Sequence, residues 1–118
     1  MKIQVKRVYD PPTPEDGYRV LVDRIWPRGL GKDQVKIDLW LKEIAPSTTL
    51  RRWFKHDPDK WYEFERRYIR ELAGHAELLD QLKKRAKSAR LTLLYAAKDT
   101  QYNNAVALKS FLKSRYGL

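Results

Sequence analysis

Leu91-Thr92-Leu93-Leu94-Tyr95-Ala96-Ala97 runs for seven residues without a charge, in a chain of which 34% is charged. A run this short and apolar has the length of a strand covered on both faces. Tyr18-Arg19-Val20-Leu21-Val22-Asp23 repeats the pattern with a β-branched centre. Strands of this kind belong to parallel sheets, because an antiparallel sheet with one wet face would alternate apolar and polar residues. Helical stretches lie between the two runs, so the expected fold class is α/β: a mainly parallel sheet with helices packed on it. At 118 residues there is enough chain for one core, and residues 1–118 read as a single domain.

The remaining elements follow from local pattern. Ile3, Val5 and Val8 alternate with polar residues, which suggests a half-buried first strand. Pro11-Pro12-Thr13-Pro14-Glu15-Asp16-Gly17 is a turn or a stiff loop. Ser47 is a good N-cap for a helix carrying Leu50, Trp53 and Phe54, and Asp57-Pro58 restarts the helix with a cap followed by proline. Trp61, Phe64, Tyr68 and Leu72 then recur at three- and four-residue steps as one aromatic stripe. Strands are expected near 3–8, 19–25 and 91–97, the last two adjacent and parallel. Helices are expected near 47–55, 58–73, 76–88 and 101–115. Residues 32–46 give no clear period: Lys32 to Val35 fits one helical turn, and Leu39 to Ile44 fits a strand or an irregular buried segment.

Composition excludes several classes of function. There is no cysteine, so disulfides, thiolate chemistry and cysteine-based metal sites are absent. His56 and His75 match no metal-ligand spacing, and no cofactor fingerprint or phosphate-binding glycine loop occurs, so neither metal nor cofactor is expected. No apolar run approaches the roughly 20 residues needed to cross a bilayer. The N-terminal Met1-Lys2-Ile3-Gln4-Val5 alternates where a signal peptide would be apolar. The expected setting is cytoplasmic, with no membrane partner. The net charge of +10 favours polyanions or small anionic ligands. Its densest block, Lys83-Lys84-Arg85-Ala86-Lys87-Ser88-Ala89-Arg90, also fits a solvated helix end, where the dipole favours cations.

Candidate chemistry gathers where the strands end. In open α/β sheets, ligands bind beyond the C-terminal edge. The first apolar run ends in Asp23-Arg24 with Trp26 and Arg28 following; the second ends in Lys98-Asp99, just before a helix start that includes Asn103 and Asn104. Arg28 brings a planar fork suited to phosphate or carboxylate, and Lys98 a point charge. Arg24, Trp26, Asn103 and Asn104 are the further candidate ligand-binding residues. A helix N-terminus near Gln101 would add N–H donors. Asp23 and Asp99 are the candidate catalytic carboxylates, each needing burial and a partner to act as a base. Taken one at a time, each of these residues also fits a plain cap, a loop-pinning ion pair or a surface position.

Val20-Leu21-Val22-Asp23-Arg24-Ile25-Trp26-Pro27-Arg28-Gly29 resembles the YeaO-like family, short bacterial and archaeal proteins grouped as a domain of unknown function. Ile3–Asp10, Asp38–Ser47, Trp53-Phe54 with His56-Asp57-Pro58, and Leu94–Asp99 with Asn103-Asn104-Ala105 extend the resemblance over nearly the whole chain. The resemblance implies an α/β fold and no established activity. Longer relatives in the wider family carry cysteines near the positions of Tyr95 and Asn103, and a thiol mechanism does not transfer to this chain. Some family members carry transcription-regulator labels, but the sequence holds no helix-turn-helix pattern.

Three readings stay open at this point. The first is a protein that binds or acts on a small phosphorylated or carboxylated ligand at the sheet edge. The second is a basic nucleic-acid-binding protein or regulator, contacting phosphates through Lys83–Arg90, Arg51-Arg52 and Lys109 with Lys113. The third is a scaffold without ligand chemistry. Whether the chain is an enzyme, and in what oligomeric state it works, is left open by the residues.

Overall fold

The computed structural model describes residues 3–118; Met1 and Lys2, the start of the N-terminal alternation, lie outside the described residues. Four strands form one sheet: β1 (Ile3–Arg7), β2 (Tyr18–Leu21), β3 (Leu39–Trp40) and β4 (Leu91–Tyr95). Their order is β1-β4-β2-β3, and every pairing is parallel. The two apolar runs are therefore the central strands, with Val20 opposite Leu93 and Leu21 opposite Leu94. Beyond β2 the ladder continues for one step, the Val22 N–H donating to the Leu94 carbonyl at 3.1 Å, before the chain leaves the sheet at Asp23.

Four helices accompany the sheet: α1 (Thr48–Phe54), α2 (Trp61–Leu72), α3 (Ala76–Ser88) and α4 (Asn104–Tyr116). All four pack on one face. There Ile3, Val20, Val22, Leu91, Leu93 and Tyr95 meet Leu50 and Phe54 of α1, the Trp61–Phe64–Tyr68–Leu72 stripe of α2, Leu79, Leu82 and Ala86 of α3, and Ala105, Leu108 and Leu112 of α4. This is the main core, and the three-and-four spacing of α2 accounts for its share of it.

The opposite face is covered without a helix. Val8, Leu21 and Leu94 pack there against Trp26, Leu30, Val35, Ile37 and Trp40, supplied largely by the irregular segment between β2 and β3. Two-sided coverage of the central strands is thus met by helices on one side and a loop on the other. Trp26 and Trp40 meet edge to face, centroids 5.3 Å apart, and the Trp26 Nε1–H donates to the Leu30 carbonyl at 2.6 Å, so the loop closes on itself as it covers the sheet.

Several boundaries differ from the sequence expectation: β2 stops at Leu21 and β4 at Tyr95, short of the expected 25 and 97, and Pro58–Lys60 form a 3-10 turn before α2. Residues 32–35 form turns instead of a helical turn. Residues 39–44 divide into the two-residue strand β3 and a 3-10 turn, Lys42–Ile44. The last helix begins at Asn104, with Asn103 as its cap: Asp99 accepts from the Gln101 and Tyr102 N–H groups at 2.9 and 3.0 Å and holds residues 99–103 as a turn. Among the described residues no helix is long and apolar enough to cross a membrane.

Candidate functional site

Because β2 and β4 are adjacent and parallel, their C-terminal ends open on the same edge. A concavity of about 800 Å³ lies there, lined by Asp23, Arg24, Trp26, Arg28, Lys98, Asp99, Asn103 and Asn104, with Arg51, His56, Phe54, Phe64 and several small apolar residues completing its wall. All eight residues singled out from the sequence border this one space. Their surroundings divide them into residues that build the site and residues that face its contents.

Asp23 is the joint of the site. Its Oδ2 accepts from the Ala96 N–H at 2.9 Å, and its Oδ1 accepts from Asn104 Nδ2 at 3.0 Å. Asn104 Nδ2 also donates to the Val22 carbonyl at 2.9 Å, so one carboxylate ties together the ends of β2 and β4 and the first turn of α4. Burial pushes the Asp23 carboxyl above the ordinary aspartate range, against the pull of these two donors and of the nearby Arg51 and His56.

Asp99 sits in the opposite regime. Hydrogen bonds from the Tyr102 and Gln101 N–H groups hold its carboxyl below the ordinary range, so it stays ionised as the turn-forming residue. Asn103 is buried and fully engaged: its Oδ1 accepts from the Val106 N–H at 2.9 Å, and its Nδ2 donates to the Asp99 carbonyl at 2.9 Å. The N–H groups of Gln101, Tyr102 and Val106 are therefore occupied within the chain and are not free as the anion donors expected from a helix start near Gln101.

Arg24 lines the concavity and is also engaged with the backbone. Its guanidinium donates to the carbonyls of Ala45 at 3.1 Å and Pro46 at 3.4 Å, which fastens the segment before α1 to the end of β2. Trp26 lines the concavity while belonging to the loop that covers the second face. Arg28 and Lys98 differ: both are exposed, and among the described residues neither side chain has a hydrogen bond or ion pair to the protein. The Arg28 backbone is nevertheless fixed, since its carbonyl accepts from the Tyr9 hydroxyl at 2.8 Å.

Two further polar wall residues read differently from the sequence: Arg51 only as a nucleic-acid phosphate contact, and His56 as a residue that could line a cleft but better fits a cap or a solvated position. Arg51 projects from α1, where nothing in its local pattern separates it from Arg52. His56 follows Lys55, and both have left-handed backbones, φ 57° and 50°. Two successive non-glycine residues in that region cost on the order of 1–3 kcal/mol each, and they turn the chain so that His56 comes to the concavity. The four cations Arg24, Arg28, Arg51 and Lys98 face two carboxylates, so the lining is cationic in sum. Among the described residues no cluster of three metal-ligating side chains occurs.

A family model described as "Inactive DUF488-N3 subclade" matches residues 2–117. The uncharacterized protein YeaO of Escherichia coli is 48% identical over 114 residues, covering 97% of this chain and 99% of that protein. Uncharacterized proteins of Mycobacterium bovis and Mycobacterium tuberculosis are 40% identical over 114 residues, 97% of this chain and 96% of each of theirs. No solved structure matches the chain significantly. With a full-length family match and relatives of this similarity, the chain belongs to the Inactive DUF488-N3 subclade.

Proposed function

We propose that this protein binds a small phosphorylated or carboxylated ligand in the concavity at the C-terminal edge of its sheet. The observation that carries the reading is the pair Arg28 and Lys98: two cations without a partner among the described residues, on the rim of a concavity whose carboxylates and amides are engaged within the protein. A guanidinium fork and an ammonium lining one concavity suit an oxoanion, and Arg51 adds charge from α1. The description of the family as inactive supports binding over turnover. Asp23 is the one carboxyl in the concavity whose environment would suit proton transfer, and Asp99, held ionised by its turn, would not serve as a base at neutral pH. The cysteine-free composition supports a cytoplasmic setting.

An amide-resolved NMR titration with sodium sulfate tests this. The reading predicts saturable shifts clustered at Arg28, Lys98 and Asp99, with Arg28→Ala and Lys98→Ala together removing them. Shifts centred on Lys83–Arg90 would overturn it.

A further inference from the structure

A bare phosphate would fill a small fraction of this site. At about 800 Å³ the concavity lies within the roughly 300–1,000 Å³ typical of pockets that enclose a whole organic ligand. Away from the cations its wall is Ile25, Trp26, Pro27, Pro46, Ala96 and Ala97. These side chains gain from contact with a carbon-rich body and offer nothing to an oxoanion.

Asp23 gives a second, independent indication. Asp23 joins the ends of β2 and β4 to α4, yet it also lines the concavity, where a carboxylate repels an anion and favours a hydrogen-bond donor on the ligand. A carboxylate has about four lone-pair sites; Asn104 Nδ2 and the Ala96 N–H take one each, at 3.0 and 2.9 Å. Acceptor capacity therefore remains on a carboxylate whose position is already fixed by the protein, and which among the described residues forms no ion pair.

Resting on the anion-binding reading, we propose that the ligand is a nucleoside monophosphate bearing an exocyclic amine. Its phosphate lies at Arg28 and Lys98, its ring lies along the Trp26–Pro27 and Ala96–Ala97 wall, and its amine donates to Asp23.

Three probes separate the parts of this proposal by titration calorimetry: adenosine 5′-monophosphate, purine riboside 5′-monophosphate (the same body without the amine) and ribose 5-phosphate (the anion without the base). Wild type should bind the adenosine compound about tenfold more tightly than the purine riboside compound, the worth of one hydrogen bond to a charged acceptor. Both should bind more tightly than ribose 5-phosphate. Asp23→Asn should erase the difference between the first two and leave ribose 5-phosphate bound at least as well as before. Should Asp23→Asn fail to fold, the wild-type ratio of adenosine to purine riboside compound still decides. Equal affinity of wild type for those two, or for all three, overturns this inference and leaves anion binding standing. Failure of wild type to bind any of the three, or inorganic phosphate, removes anion binding itself.

Discussion

Asp16 and Arg19 are both 1% exposed and form an ion pair on the sheet face away from the helices. Asp16 also accepts from Gln4 Nε2 at 2.9 Å, from Lys6 Nζ at 3.0 Å and from the Thr13 N–H at 3.1 Å, while Arg19 Nε donates to the Lys36 carbonyl at 2.6 Å. Burial alone would raise the Asp16 carboxyl; the donors from Thr13, Lys6 and Arg19 outweigh it and hold the group far below the ordinary aspartate range. A depressed folded value contributes stability that is present in full above the unfolded value, near pH 4, and is lost as pH falls below it. Asp16→Asn leaves Arg19 buried with its charge uncompensated, which costs about 3–5 kcal/mol. Urea unfolding at pH 7 and pH 3 checks both parts: the variant should lose most at pH 7, and the gap between variant and wild type should narrow at pH 3. Nothing in the sequence marked this network, because Arg19 interrupts an apolar run and Asp16 lies in a proline-rich turn. Their pairing depends on how that turn folds back beside β2.

Among the elements, those with a period were legible and those without one were not. β2, β4 and the α2 stripe follow from apolar runs and three-and-four spacing, and their packing onto one face needs only that each buries its apolar side. The loop between β2 and β3 has neither period. Its role as cover for the second sheet face comes from Trp26, Val35, Ile37 and Trp40 meeting in space, and β3 pairs through only two residues. The start of α1 shows how a legible local signal gains a tertiary partner. Ser47 caps the helix as its residue type suggests, its Oγ accepting from the Leu50 N–H at 3.1 Å. The same Oγ also donates to Glu71 Oε2 at 2.6 Å, while the Ser47 N–H donates to Glu71 Oε1 at 2.8 Å. Ser47→Ala should therefore cost toward the upper end of the usual cap loss, about 2 kcal/mol. Glu71→Gln should cost less, since an amide keeps one acceptor. Equilibrium unfolding of the two variants checks the order.

At the scale of the molecule, charge and topology pull the functional reading in different directions. The net charge of +10 alone suits nucleic acid. Within the basic block, however, Lys83 lies 5.0 Å from the Tyr116 ring centroid, Arg85 lies 4.1 Å from that of Tyr18, and Lys84 pairs with Asp80 at 3.1 Å. Three of the block's five cations thus make contacts on the protein's own surface. No saturable binding of mixed-sequence duplex DNA is expected at about 0.15 M salt. Binding whose log–log salt slope flattens by roughly 0.9 per lost contact, when Lys83, Lys84 and Lys87 are replaced by Gln, would move the function to that face.

The candidate site was legible as a location, because parallel strands deliver their ends to one edge. The division of labour within it was not. Only the hydrogen bonds show that Arg24, Asp99 and Asn103 hold the rim together, while among the described residues the side chains of Arg28 and Lys98 have no partner. That division is the central claim, and calorimetric melting of wild type and Arg28→Ala with and without phosphate tests it most directly. The substitution itself should change stability by no more than roughly 0.5 kcal/mol, as at an exposed position. Phosphate at ten times its dissociation constant should raise the wild-type melting temperature by on the order of 5 °C, equivalent to about 1.4 kcal/mol, and leave the variant nearly unmoved. Equal stabilisation of both proteins, or of neither, would contradict it.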